Sequence, residues 1–308
     1  MDDHKLRIER TQNLWSSFVR GHEPIARSAS MVADPQVSFD EIGGLAEAKD
    51  EILTYACATT SPEVYERWGT FPPAGMLLIG KSGSGKSLLA RALATRTGTA
   101  FVCVNTPRMV VDVVHYGAKV GELIKAWTAT LEEIPPLTLF FDELEFSQAQ
   151  EMGVRNDLPV GPIMDFLLEM IDRAVACSQH LVVGSTAHPA NVRHAFAQPG
   201  RLDRVVEVNA SFPNDVIAAL EIHAEKASKR AGRPVFDEID WPRIVGRSKE
   251  APIGDWVRVL HGVLRRKARA EAAHEEPLPV STEDLSHEVE RFHQAQQRIS
   301  TGKGGNYL

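Results

Sequence analysis

The stretch Gly80-Lys81-Ser82-Gly83-Ser84-Gly85-Lys86-Ser87 satisfies the pattern G-x-x-x-x-G-K-[ST] at every position. Directly before it runs Met76-Leu77-Leu78-Ile79, a continuous apolar segment of strand length. Directly after it runs Leu88-Leu89-Ala90-Arg91-Ala92-Leu93-Ala94, which has the composition of a helix. Strand, glycine-rich turn and helix is the order in which this pattern has a physical meaning. A helix N-terminus offers unpaired N–H groups and the positive end of its dipole to a phosphate. Glycines let the backbone close around that phosphate. Lys86 can then reach the β- and γ-phosphates of a nucleotide, and the Ser87 hydroxyl can ligand Mg²⁺. A glycine-rich turn that binds nothing is the bland alternative, and the strand and helix on either side count against it.

Outward from this loop, strand and helix alternate from Val37 to about Val208. The strands expected are 76–79, 100–104, 137–141, 181–185 and 205–208, most of them short continuous apolar runs, as when helices cover both sheet faces. Helices are expected around 46–57, 62–68, 86–97, 120–132 and 161–177. This is an α/β fold with a mostly parallel sheet. Residues 3–20 read as a helix whose apolar face, Leu14, Trp15, Phe18 and Val19, can dock on the body or on a partner, the body being the blander case, and 21–37 reads as a linker. From Asn214 the strand signal fades. Helices expected at 214–227, 241–247, 255–274 and 282–298 make a small all-helical second domain, and the glycine-rich end reads as a flexible tail. The expected domains are therefore 1–36, 37–210, 211–299 and 300–308.

A second phosphate-site element is Leu137-Thr138-Leu139-Phe140-Phe141-Asp142-Glu143, an apolar strand ending in two acids. In a P-loop protein Asp142 would hold the Mg²⁺ coordination sphere, and Glu143 would act as general base on the attacking water. The C-terminal end of a parallel strand is where such sheets bind their ligands.

The 308 residues carry a net charge of −7, are 43% hydrophobic and include three cysteines, Cys57, Cys103 and Cys177, with no paired spacing. The charge argues against a broad nucleic-acid surface. The cysteines point to a reduced, cytoplasmic setting. No apolar run has the length of a membrane span, and the N-terminus lacks the order of a signal peptide.

With both elements in place, the sequence resembles the classical AAA family within the AAA+ ATPases, the group of proteasomal ATPases, membrane-anchored AAA proteases, katanin and spastin. The similarity runs from about Val37 to Leu285. Val37-Ser38-Phe39-Asp40-Glu41-Ile42-Gly43-Gly44-Leu45 matches the family's opening segment, which places Ile42 and Gly43 at the adenine. Ser82, Gly83, Ser84, Gly85, Lys86, Ser87 and Leu88 would hold the phosphates. Gln198-Pro199-Gly200-Arg201-Leu202-Asp203-Arg204 resembles R-P-G-R-F-D-R, which makes Arg201 and Arg204 arginine fingers for the neighbouring subunit's γ-phosphate. Glu221-Ile222-His223-Ala224 and Gly254-Asp255-Trp256 resemble lid segments whose histidine and glycine, here His223 and Gly254, lie near the nucleotide. The resemblance implies a P-loop AAA+ module with a helical lid, ATP and Mg²⁺ as cofactors, a homo-oligomeric ring, a hexamer, and work on protein substrates, with no nucleic acid and no membrane.

Three departures from the family matter. Ser185-Thr186-Ala187-His188-Pro189 stands where A-T-N-R-P is usual, so Ala187 replaces the polar sensor side chain and Thr186 or Ser185 would have to take the role. The P-loop reads Gly-Lys-Ser-Gly-Ser-Gly. The pore-loop segment reads Val114-His115-Tyr116-Gly117, with Tyr116 the candidate for gripping substrate. The last residues, Gly305-Asn306-Tyr307-Leu308, resemble the G-Q-Y-L tail with which bacterial proteasome-activating ATPases dock on a protease ring. Four readings follow: a protein-remodelling ATPase, a cap for a separate protease ring or one served by an adaptor, a nucleotide-gated scaffold with little hydrolysis, and, against the charge, a nucleic-acid ATPase.

Overall fold

A computed structural model describes residues 3–116, 119–145, 160–247 and 251–301. These divide into two units. The first takes Met1–Phe39, Ala46–Lys81 and Gly85–Asn209. The second takes Asp40–Leu45, Ser82–Ser84 and the residues from Ala210 onward.

The first unit opens with α1 (Asp3–Gly21), α2 (Glu23–Ser28) and β1 (Ala29–Val32). Then come α3 (Ala46–Thr60), α4 (Glu63–Arg67), β2 (Met76–Ile79), α5 (Lys86–Thr97) and β3 (Ala100–Asn105). α6 (Thr106–Tyr116), α7 (Val120–Glu133), β4 (Leu137–Asp142), α8 (Val160–Ala176), β5 (Leu181–Thr186) and β6 (Arg204–Glu207) complete it. The sheet order is β1-β3-β4-β5-β2-β6, parallel throughout except for β1, which runs antiparallel to β3. The strands buried on both faces are the continuous apolar runs of the sequence: every residue of β5 is buried, as are Leu137 through Phe141 of β4.

The linker expected over 21–37 is corrected. Pro24 sits in the first turn of α2, where a missing N–H costs nothing, so it starts a helix rather than breaking one. Ala29–Val32 then pairs residue by residue with Phe101–Val104 along the otherwise open edge of β3. Local composition reads as loop there; the waiting sheet edge decides otherwise. The preceding helix docks as expected. Trp15 and Phe18 are buried in the main core beside Trp127 of α7, and Arg7 and Arg10 cap the carbonyls of Gly98 and Glu133.

One buried group ties α7, β4 and β5 together. His180 accepts the Leu137 N–H at Nδ1 (3.1 Å), and its Nε2–H donates to the Leu131 carbonyl (2.8 Å). Only the neutral ring with the proton on Nε2 makes both bonds. Burial holds its pKa below the usual 6.5, against the smaller opposing pull of the Leu131 carbonyl. The folded state thus favours the neutral form, and this stabilisation is complete above the unfolded pKa and is lost as pH falls from there toward the folded one. Melting followed from pH 7.5 down to about 5 should show a stability loss in the wild type that is smaller in His180→Phe. At neutral pH that variant should be less stable by about 1–3 kcal/mol, because the Leu137 N–H is left without an acceptor.

The second unit is built on α9 (Asn214–Ala231), α10 (Trp241–Val245), α11 (Ile253–Ala272) and α12 (Thr282–Thr301). Its core gathers Val216, Leu220, Trp256, Leu260, Val263, Leu285 and Val289. Beyond the helices, a parallel bridge joins Phe236 to Val280. No helix among the described residues is long and apolar enough to cross a membrane.

Candidate functional site

In the first unit, three strand ends meet at one sheet edge. β5 lies between β2 and β4, with Ile79 in register with Thr186 and Phe141 with Gly184. The residues following β2, β4 and β5 therefore emerge side by side. These are Gly80-Lys81, Glu143 just past the β4 end at Asp142, and Ala187.

α5 starts at Lys86, and Gly85 before it has φ +109°, a left-handed conformation that L side chains avoid. That turn folds Lys86 back over the loop, where its Nζ donates to the carbonyls of Gly80 (2.6 Å) and Lys81 (3.1 Å). Burial pushes the Lys86 pKa down, while Asp142, Glu145 and Glu143 push it back up. Four ionisable groups from two strand ends thus share one field. Ser87 and Leu88 follow in the exposed first turn of α5.

Asp142 closes β4 and accepts a hydrogen bond from the buried Ser185 hydroxyl. Glu143 has φ +59°, unusual for a residue with a side chain. Such a conformation costs of order 1 kcal/mol and persists where packing holds it, often at functional sites. Here the next residue, Leu144, is fully buried and pins the turn. Partial burial raises the Glu143 pKa, helped by the charges of Asp142 and Glu145 and opposed by Lys86. A carboxylate raised in this way is a better general base.

The two hydroxyls expected to replace the side chain missing at Ala187 each already make one hydrogen bond. Ser185 is committed to Asp142, and the buried Thr186 hydroxyl accepts the His188 N–H at 3.0 Å. The group that reaches this strand end is one the sequence reading missed. Glu145 Oε1 accepts the Ala187 N–H at 3.0 Å. Its only sequence signal is an acid three residues past Asp142.

Arg201 and Arg204 are each bonded to an acid on another element. Arg201 grips Asp172 of α8 through Nε (2.6 Å) and Nη2 (2.9 Å), and its Nη1 donates to the Ala195 carbonyl. Arg204 pairs in the same forked way with Glu51 of α3, its Nε lying 2.8 Å from Glu51 Oε2.

Within the second unit, the remaining candidates gather round α9 and α11. Gly254 donates its N–H to the Gly83 carbonyl at 2.9 Å, which fixes Ser82–Ser84 against the start of α11. The Ser84 hydroxyl is buried and lacks a protein partner among the described residues. Ile42 is buried, and Gly43 lies so close to α9 that a Cβ there would stand 2.2 Å from the Ala219 backbone nitrogen. Gly43→Ala is thus expected to cost about 1–3 kcal/mol in a thermal melt, since α9 must shift to admit the methyl. His223 meets His261 of α11 edge-on, with ring centroids 5.9 Å apart; burial, then His261 and Lys226, hold it below its usual pKa. His261 was not anticipated, and nothing in its sequence setting marks it.

Tyr116 ends α6, but its side chain and Gly117 lie outside the described residues, as does the tail from residue 302.

Comparison with known proteins fits this geometry. Residues 76–210 match the model of the ATPase family associated with various cellular activities (AAA). Protein SAV of Sulfolobus acidocaldarius is 30% identical over 226 residues, covering 72% of this chain and 27% of that protein. The proteasome-activating nucleotidase of Methanocaldococcus jannaschii is 33% identical over 205 residues, 65% of this chain and 47% of that protein. The cell division cycle protein 48 homolog of Archaeoglobus fulgidus is 30% identical over 235 residues, 76% and 31% respectively. The chain thus spans from about a quarter to half the length of these relatives.

Proposed function

Because this chain belongs to the AAA family of ATPases, we propose that it hydrolyses ATP as a module of a homo-oligomeric ring, a hexamer, that remodels or unfolds protein substrates in the cytoplasm. The observation that carries this reading is the meeting of Lys86, Asp142 and Glu143 at one sheet edge, with Lys86 under the combined field of the acids. The residues also fit the nucleotide. The left-handed glycines at 83 and 85 carry no side chain at two of the loop's positions, and the Ser84 hydroxyl between them lacks a partner among the described residues. Ser87 and Asp142 are hard oxygen ligands of the kind Mg²⁺ takes. Mg²⁺ and ATP supply the transferable phosphoryl group and the charge that screens it.

The residues then divide the work. Lys86 leaves its carbonyl partners to bind the β- and γ-phosphates. Asp142, steadied by Ser185, holds the metal's water shell, and Glu143 takes the proton of the attacking water. Arg201 and Arg204 act across a subunit boundary, Ile42, Gly43 and Gly254 lie at the base, His223 lies near the nucleotide, and Tyr116 contacts substrate. A ring also suits Trp68 and Phe71, which are 82% and 88% exposed within one short segment. Aromatics left in water mark surfaces that another chain covers, and a second copy is the occupant proposed. That one relative is named a proteasome-activating nucleotidase favours protein substrates.

The test is ATP turnover and particle size in the same samples, with unfolding of a fluorescent protein bearing an unstructured tail as the coupled readout. Turnover in an oligomeric fraction, with ATP-dependent loss of fluorescence, is expected. Turnover without unfolding overturns the remodelling part. A second reading, a scaffold that assembles on ATP without hydrolysing it, is favoured by the apolar Ala187. It predicts ATP-dependent assembly with no turnover.

A further inference from the structure

On the helices of the second unit, cations are commonly matched with acids. On α11, Arg258, Arg266 and Lys267 pair with Asp255, Glu288 and Asp284, and on α9 Lys226 and Lys229 pair with Glu41 and Glu225. Three arginines of these two helices break the pattern. Arg230 of α9 and Arg265 and Arg269 of α11 are exposed and have no acidic partner among the described residues. They share one seam. His223 of α9 meets His261 of α11 with ring centroids 5.9 Å apart, and ten residues on in each segment Arg233 pairs with Glu271 at 2.9 Å. Position 223 thus lies beside 261 and 233 beside 271, a constant offset of 38, so the two helices run side by side in the same direction. That register sets Arg230 level with residue 268, between Arg265 and Arg269 along the axis. Arg265 lies one turn past His261 and its Nε donates to the His261 carbonyl at 3.1 Å, which leaves both terminal nitrogens for an outside acceptor. Burial first, and then the groups around them, Arg265 and Arg230 in the case of His261, hold both histidines below the usual 6.5. At neutral pH the rings are therefore uncharged, and the charge of the seam is that of its arginines.

We propose that this seam of α9 and α11 docks an extended acidic segment of a partner protein, one that carries carboxylates on alternate residues. The chemistry is that of the guanidinium, whose planar fork matches a carboxylate and forms charge-assisted bonds to it. The spacing agrees. At 1.5 Å of rise per residue, Arg265 and Arg269 stand about 6 Å apart along α11. Alternate side chains of an extended chain point the same way and stand about 6.6 Å apart. A Glu-x-Glu run therefore meets Arg265 and Arg269 together, with Arg230 facing it from α9. The net charge of −7 opposes a long polyanion such as a nucleic acid, whereas a short acidic segment meets only the seam. Such a segment is a handle by which an adaptor or substrate is recruited, and its docking needs no turnover of nucleotide.

The test is fluorescence anisotropy of a labelled peptide of repeated Glu-Ser, titrated with the full chain at low salt and without nucleotide. Saturable binding is expected, weakening as added salt brings the screening length below about 10 Å. Arg230→Ala removes one charge from an exposed position and should weaken binding roughly 2–5-fold. Arg230→Glu combined with Arg265→Glu should weaken it by at least about tenfold and should create affinity for a labelled peptide of repeated Lys-Ser, because the charge of the seam is reversed. These side chains are exposed, so the melting temperature should stay close to wild type. Arg20→Glu combined with Arg96→Glu changes the net charge equally at two exposed positions of the first unit, and should leave binding within about twofold. The proposal is overturned if wild type does not bind the Glu-Ser peptide at low salt, if the Arg20 and Arg96 variant loses as much as the seam variant, or if single-stranded DNA of matching charge binds as tightly as the peptide. Absence of ATP turnover in the same protein would sink the hydrolysis reading and leave this one standing.

Discussion

Glu143→Gln is expected to leave ATP bound and turnover nearly absent, with kcat down by about 10²–10⁴, the usual contribution of a positioned general base. The substitution removes the proton acceptor and little else. Glu143 sits in a left-handed turn held by buried Leu144, and its exposed side chain makes no hydrogen bond to another side chain among the described residues. Glutamine fits the same turn, so melting should not change. The variant should also lift one unfavourable charge from beside Asp142, so its affinity for a fluorescent ATP analogue should equal or exceed that of wild type. Weakened binding would move Glu143 from chemistry to nucleotide binding.

Arg201→Ala is the second large effect, a loss on the order of 10³–10⁵ in turnover if the side chain completes a neighbour's site. In this chain the Arg201 guanidinium is held by Asp172 and the Ala195 carbonyl, and its side chain is only 24% exposed. A purely structural ion pair is therefore the competing account, and the two separate cleanly. Arg201→Lys keeps a charge near Asp172 but loses the forked contact, so a structural role predicts mild loss and a finger predicts severe loss. Mixing is more direct. Arg201→Ala subunits have an intact base, and Glu143→Gln subunits have an intact arginine. A preparation of both should recover turnover that neither shows alone, because each active site is completed by its neighbour. No recovery in mixed oligomers would return Arg201 to a structural part.

What could be read in the sequence was what contiguous residues encode. The loop 80–87 with its strand and helix, and the acidic end of β4, each lie in one short run whose order is their function. The structure kept both, with strand bounds moved by one residue or less at either end. The exposure of Trp68 and Phe71, by contrast, could not be read, since an aromatic beside Pro72-Pro73 looks the same whether covered or bare.

Sequence alone therefore determined the fold class and the order of strand, glycine loop and helix, because short-range order fixes a turn, a helix start and a strand end. Tertiary structure decided the rest through partners far apart in the chain. β1 became a strand because β3 offered it an edge. His180 found Leu137 at a separation of 43 residues, Arg201 found Asp172 at 29, and Glu145 found Ala187 at 42. The last pairing exists because β4 and β5 lie side by side in the sheet, an adjacency that belongs to strand order in space and leaves no mark on either segment by itself.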